Sequence, residues 1–410
     1  MTSMIDQEKA SIQVLSEGGV AQPKGFKAGG LHCGIKYKRP DLGWIYSEVP
    51  AAAAAVYTTN QFQAAPLIVS QESIAVEQKL QLVLCNSGIA NACTGEEGLE
   101  NAYASRKMVA QHLEIPEHYA AVVSTGVIGD QLPMEKISQG IEQIALTDHE
   151  ESQFEKAILT TDTVTKHVAV QIEIDGKTVT IGGAAKGSGM VHPNMATMLG
   201  FITTDANVVQ EDLLQALKEV TNKTFNMITI DGDTSTNDMV LVMANGMAEN
   251  KPLSKSHSDW PLFVKGLAYV SQTLSKMIAR DGEGATKLVE VKVTGAKNDQ
   301  AAQAISKAIV GSSLVKTAIY GADPNWGRIV CAVGYSGQPI DTEKIKVALG
   351  SITIVENGLP VPFSEEEATD YLKQEEIEIV VDLNEGDGKA IAWGCDLSYD
   401  YVKINASYRT

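Results

Sequence analysis

The sequence is short of several things, and each shortage removes a class of function. Cysteine is scarce. Cys33, Cys85, Cys93, Cys331 and Cys395 are odd in number, scattered, and form no C-x-x-C pair, which fits reduced thiols in cytosol and supplies no metal framework. The seven histidines are equally dispersed, with none at metal-ligand spacing, so no bound metal is expected. Basic residues are outnumbered, 33 Lys and Arg against 51 Asp and Glu, for a net charge of −18. No basic cluster occurs, which counts against nucleic acid or an anionic membrane as partner. The opening Met1-Thr-Ser-Met-Ile-Asp-Gln-Glu lacks the basic start and apolar core of a signal peptide, and a cytoplasmic protein is expected. There is no Walker phosphate loop, internal repeat or low-complexity tract. Gly334-Tyr-Ser336-Gly337 is one residue too short for a nucleophile elbow, so Ser336 is not a hydrolase candidate.

What is present is an ordinary globular composition, 44% apolar and 20% charged, over a length that allows two or three domain-sized units. Alternation and bounded apolar runs predict strands at Leu42–Val49, Ala54–Thr58, Leu80–Cys85 and Ala120–Val123. Helices are expected over Gly98–Leu113, from Pro133 to Ile144, and over Glu151–Leu159. Strands Val168–Ile174 and Thr178–Ile181 flank Asp175-Gly176, a good hairpin turn. Further on come a helix at Glu211–Thr224, strands at Phe225–Ile230 and Met239–Met243, and a long helix to about Arg280 with one broad apolar stripe. Leu288–Thr294 reads as a strand and Asp299–Ile309 as a helix. The tail alternates strands at Ile345–Leu349, Ile352–Val355, Ile377–Asp382 and Val402–Ala406. The residues together read as a mixed α/β protein, rich in strands with flanking helices.

The stretch Ala185–Asp205 organises the rest. It carries no charge from Gly187 to Thr204. That length suits a membrane span, but Gly187, Ser188, Gly189, His192, Pro193 and Asn194 would punctuate it and leave polar groups unsatisfied in lipid. It reads instead as a buried, tightly turning loop entering an apolar strand, Met198–Ile202. Small residues of this kind let backbone approach something closely. Thr197 follows Ala196 and precedes that strand. By its residues alone it is an ordinary strand threonine. A second reading has its hydroxyl attack the Ala196 carbonyl and break the chain. A terminal threonine then holds a hydroxyl beside an α-amine of reference pKa about 7.7–8.0, and one residue supplies nucleophile and base.

Other loops are suggestive without being decisive. Asn86-Ser87-Gly88 and Ser124-Thr125-Gly126 each follow an apolar strand, and a hydroxyl beside a backbone amide is what an oxyanion needs. Asp231-Gly-Asp233 opens like a calcium loop. However, Thr236 stands at the turn-glycine position and Val242 at the place of the final glutamate, so calcium is rejected. Glu283, between glycines at a helix end, is by itself a solvated glutamate.

Resemblance decides between these readings. Lys186-Gly-Ser-Gly-Met and His192-Pro-Asn-Met-Ala-Thr197-Met-Leu closely resemble the self-cleaving site of the ornithine acetyltransferases (glutamate N-acetyltransferases) of arginine biosynthesis. Similar runs include Asn86 to Gly95, Asp231 to Asp238, and Gly311 to Arg328. The likeness extends from Pro23 to Thr410. It implies autocatalytic cleavage between Ala196 and Thr197, giving an α chain 1–196 and a β chain 197–410 interleaved in one unit, with 288–410 as a C-terminal subdomain. It also implies an αββα sandwich resembling N-terminal-nucleophile enzymes in look but not in connectivity, and a heterotetramer of two α and two β chains.

The implied reaction is ping-pong, moving acetyl from N2-acetylornithine to glutamate through acetyl-Thr197. Thr125 and Gly126 form the oxyanion hole, and Thr160, Lys186, Glu283, Asn405 and Thr410 bind substrate. One variant of the family also uses acetyl-CoA as co-substrate, and no residue separates the two variants. Two other classes stay in view. One is a related self-cleaving aminopeptidase or amidohydrolase that releases product to water. The other is a binding protein in which Thr197 never becomes a terminus.

Overall fold

The computed structural model describes residues 12–147, 150–192 and 198–407. They form two compact units, each with its own sheet. The mixed α/β class expected from the sequence is the one adopted.

The first unit carries β1 (Gln13–Val14), β2 (Phe26–Leu31), β3 (Leu42–Tyr57), β4 (Lys79–Ile89), β5 (Ala120–Val127), β6 (Lys166–Ile174), β7 (Lys177–Lys186) and β8 (Leu199–Thr204). The short β9 (Ile228–Thr229) belongs to the second unit, and β10 (Met239–Ala244) to the first. The sheet runs β1-β6-β7-β8-β10-β3-β4-β5, with β2 beside β3. The pairs β8/β10 and β4/β5 are parallel, and the others are antiparallel. Helices α1 (Ala65–Glu77), α2 (Gly95–His112), α3 (Met134–Ile141), α4 (Glu151–Ala157) and α5 (Gln210–Lys223) accompany it.

Strand residues alternate between two cores. Val83, Cys85, Ala121 and Val123 join Phe154 of α4 and Phe201 of β8 on one face. Leu82, Leu84, Ala120 and Val122 join Ala102, Val109, Ile137 and Ile141 of α2 and α3 on the other. Covering both faces is what lets these strands be almost wholly apolar. Phe154 and Phe201 meet edge to face with centroids 5.3 Å apart, an arrangement contributing about 0.5–1.5 kcal/mol beyond area burial. The β6–β7 turn is the expected one, with positive φ at both Asp175 and Gly176.

After α6 (Trp260–Arg280), the second unit builds β11 (Leu288–Ala296), α7 (Asp299–Gly311), α8 (Ser313–Tyr320), α9 (Trp326–Gly334), β12 (Lys346–Leu349), β13 (Ile352–Glu356), β14 (Leu359–Pro360), α10 (Glu365–Leu372), β15 (Glu376–Asp382), β16 (Gly388–Cys395) and α11 (Tyr399–Ala406). Its sheet order is β14-β13-β12-β15-β11-β16-β9.

Several expectations need correction. Leu42–Val49 and Ala54–Thr58 are one strand, because Ala52–Ala55 pair with β10 across the supposed break. β4 and β5 extend through Asn86-Ser87-Gly88 and Thr125-Gly126, which lie in a paired ladder and not beyond it. Phe225–Ile230 starts as a 3-10 turn and only Ile228–Thr229 pair. Val402–Ala406 is a helix, not a strand. Ser398 caps α11 by accepting from the Tyr401 amide, and Asp400 and Lys403 pair at 2.6 Å one turn apart; both are helix-favouring local interactions.

Candidate active site

In the first unit, Thr125 and Gly126 lie near the end of β5, and Lys186 at the end of β7 is in register with Leu199 at the start of β8. Gly126 has φ +135°, and a Cβ there would lie 2.2 Å from the Gly88 carbonyl carbon. Only glycine fits. Just past Gly88 the β4–β5 register shifts at Ile89, which pairs with both Thr125 and Val127. Such a bulge leaves its extra residue out of the ladder and re-aims the backbone. Thr125 beside it is buried.

Lys186 ends β7 and is buried. Its Nζ donates to Thr160 Oγ1 at 2.9 Å, so two expected substrate-binding residues already touch. The organiser here is a residue sequence reasoning passed over. Asp162 is fully buried, accepts from Lys166 Nζ at 2.8 Å, Gly187 N at 2.7 Å and Thr160 N at 3.1 Å, and lies 3.8 Å from Lys186 Nζ. Burial works to raise its carboxyl. The charges of Lys186 and Lys166, with the Lys166 and Gly187 donors, outweigh that and hold it below the usual carboxylate range. The signal available in the sequence was a lone aspartate among threonines with a lysine four residues on. An ammonium carries three donors, so Lys186 keeps capacity for a further acceptor.

The loop before β10 feeds the same neighbourhood. The buried Asn237 carboxamide donates to Ala90 O at 2.6 Å and Ser124 O at 2.8 Å, tying this loop to the residue before Thr125. Met239 N donates to Met198 O at 3.0 Å, and Met239 is in register with Leu199.

In the second unit, Glu283 is buried and Asn405 exposed. Asn405 Nδ2 donates to Glu283 Oε2 at 2.7 Å and to Tyr401 O at 3.0 Å. The helical form of α11 is what makes this contact, since it sets Asn405 one turn beyond Tyr401. A Cβ on Gly189 would lie 2.3 Å from Glu283 Cδ, so a larger residue there would push the Glu283 carboxylate aside. Asp231 holds the backbone ahead of the expected cleavage point, accepting from Met190 N at 2.6 Å and Val191 N at 2.9 Å. His192 Nδ1 lies 2.9 Å from Thr229 Oγ1, and burial together with the Lys307 charge lowers the imidazole to about 4. The run Gly311 to Arg328 has a structural use. Lys316 donates to the Cys395 carbonyl, and Arg328 Nη1 bonds Leu314 O and Thr317 Oγ1 at 2.7 and 3.0 Å.

Ala196, Thr197 and Thr410 lie outside the described residues. Among the described residues, no helix is long and apolar enough to cross a membrane. Asp175 on the β6–β7 turn meets His257 and Asp259 from the segment before α6, with candidate ligand atoms within 4.8 Å of one another. They already bond locally, His257 Nε2 to Asp175 Oδ2 at 3.2 Å and Asp175 N to Asp259 Oδ2 at 3.0 Å.

Comparison with known proteins gives a consistent picture. The ArgJ family pattern matches residues 27–410. The chain is 58% identical to the arginine biosynthesis bifunctional protein ArgJ of Bacillus subtilis over 96% of this chain and 97% of that one. It is 59% identical to the protein of the same name from Halalkalibacterium halodurans over 98% and 99%. A crystal structure of the arginine biosynthesis bifunctional protein ArgJ from Bacillus halodurans is 59% identical. It covers 52% of this chain and 100% of that one, with a TM-score of 0.51.

Proposed function

The chain belongs to the ArgJ family and is an acyltransferase of arginine biosynthesis; from that premise we propose how its residues divide the work. The chain cleaves itself between Ala196 and Thr197. Thr197 Oγ then attacks the acetyl carbonyl of N2-acetylornithine, and the new α-amine takes the hydroxyl proton. Thr125 and Gly126 receive the oxyanion. Ornithine leaves, glutamate enters, and N-acetylglutamate departs in a ping-pong cycle. The observation that supports this reading is the Lys186–Thr160 hydrogen bond beside the start of β8, where Lys186 is in register with Leu199.

Lys186 pairs with a carboxylate that both amino-acid substrates share, which explains how one site serves donor and acceptor. Thr160, Glu283, Asn405 and Thr410 hold the remainder of the substrate. Acetyl-CoA is a second acetyl donor, in keeping with the bifunctional relatives. The working form is a cytoplasmic heterotetramer of two α and two β chains.

The test is incubation with acetyl-labelled N2-acetylornithine in the absence of glutamate. Ornithine release stoichiometric with enzyme, label retained on the β chain, and transfer of that label to glutamate on its addition support the reading. Steady release of acetate to water, indifferent to glutamate, would favour the amidohydrolase alternative.

A further inference from the structure

The step into β10 carries a carboxyl that the acetyl-transfer scheme does not use. Asp238 is 3% exposed. Among the described residues its buried Oδ2 has no hydrogen-bond partner, while the Ser235 hydroxyl and amide serve the carboxyl. A bare buried carboxylate oxygen is costly, and a protonated carboxyl removes most of that cost. Burial pushes the group well above its ordinary value, and Ser235 and the Lys186 charge pull back only in part.

Its placement is specific. The next residue, Met239, donates its amide to Met198 O, and Met198 is bonded to Thr197. The preceding residue, Asn237, donates to Ser124 O, one residue before Thr125. Asp238 is thus set where the ends of β5 and β8 meet, within the field of Lys186 at the end of β7. The segment Met198–Thr204 contains no titratable side chain. On β3, Tyr57 faces Met239 in the ladder, and burial raises its phenol above the ordinary range. Lys186 also lies 3.8 Å from the Asp162 carboxylate, which Lys166 neutralises at 2.8 Å, and the buried Cys85 thiol lies in its field.

We propose that Asp238 gives a proton to the departing amine in the first half-reaction and takes one from the entering amine in the second. The proposal rests on Thr197 being the acyl carrier. When Thr197 Oγ bonds the acetyl carbon, its proton passes to the Thr197 α-amine, which becomes an ammonium. As the C–N bond breaks, ornithine nitrogen takes the Asp238 proton and leaves as a neutral amine, because an amide anion is far too basic to depart. The Asp238 carboxylate so formed keeps the Ser235 donors and lies within the field of Lys186. In the return half, the glutamate amine bonds the acetyl carbon and loses a proton to Asp238, and the α-ammonium returns its proton to Thr197 Oγ as that C–O bond breaks. Both protons are back where they began.

The experiment compares Asp238→Asn with the unaltered enzyme on two acetyl donors, N2-acetylornithine and p-nitrophenyl acetate. The phenolate of the latter leaves without a proton. The expected result is a loss of about 10²–10⁴-fold with acetylornithine, the usual worth of a positioned proton donor. Acetyl-enzyme formation from p-nitrophenyl acetate should be essentially retained. An equal loss on both donors, or no loss on either, overturns the proposal. The unaltered enzyme supplies a second reading should the variant misfold. Its kcat/KM for acetylornithine should fall as pH rises through the raised Asp238 value, and that limb should be missing with p-nitrophenyl acetate; parallel profiles contradict the proposal. The denatured mass of the unaltered enzyme separates the two levels. An uncut chain, or one that never carries acetyl, removes the Thr197 reading itself. A cut, acetylated enzyme with an indifferent Asp238→Asn variant removes Asp238 alone.

Discussion

Replacing Asp162 by asparagine tests the floor on which the first unit's site stands. The carboxylate and Lys166 are each 0% exposed and 2.8 Å apart, and Lys186 lies 3.8 Å away. Asparagine keeps the shape and removes the charge, stranding a buried ammonium. Breaking one partner of such a pair costs about 3–5 kcal/mol. At the low end of the range for larger folds, about 2 °C per kcal/mol, the first unit should melt about 6–10 °C lower.

The pH dependence has a definite sign. A carboxyl held below its unfolded value stabilises the fold above that unfolded value, about 3.9. That stability is lost only as pH falls through the lowered folded value. The gap between Asp162→Asn and the unaltered protein should therefore be constant from neutral pH to about 4 and close below it. Adding Lys166→Met removes the stranded charge and should recover most of the loss. Melting followed by circular dichroism, with the pH series, is the assay. A single variant within about 2 °C of the unaltered protein, or a double variant no better than the single, would refute the reasoning.

Three further outcomes follow from the same geometry. Lys186→Met should raise KM for both acetylornithine and glutamate far more than it slows self-cleavage, read by steady-state kinetics beside denatured mass; an unchanged KM sinks the shared-carboxylate role. Gly126→Ala drives a Cβ to 2.2 Å from the Gly88 carbonyl carbon, so kcat should drop by about 10²–10³, the worth of one oxyanion donor, with KM little altered. Ser398→Ala removes the cap of α11, weakening that helix by about 1 kcal/mol. It should loosen Asn405 from Glu283, raising KM while leaving cleavage intact.

How much of this was legible in the sequence depends on the range of the interaction. The β6–β7 hairpin was readable because Asp175-Gly176 is a local turn signal and the strands on either side alternate. α1 has no counterpart among the expected helices, although Pro66 at its start costs no hydrogen bond. α11 was misread because Val402 and Ile404 alternate. They are 63% and 38% exposed, so their spacing reported no buried face, while the Ser398 cap carried the true signal.

Thr125 and Gly126 lie in the β4–β5 ladder and not in the loop expected for them. Asn86 and Ser87 are polar yet buried within β4, so their polarity did not mark the end of the strand. Asp162, Asp231 and Asp238 were beyond sequence reasoning for a different reason. Asp162 reaches Gly187 across 25 residues, and Asp231 reaches Met190 across 41. No local pattern records which aspartate in a polar run will be buried against a distant amide or left with a bare oxygen.

The central claim is that the chain makes its own nucleophile, and the denatured intact mass of the purified protein tests it most directly. The account predicts two fragments that meet between Ala196 and Thr197, the second beginning with an unblocked threonine. A single chain of 43.8 kDa that nonetheless transfers acetyl from acetylornithine to glutamate would contradict it.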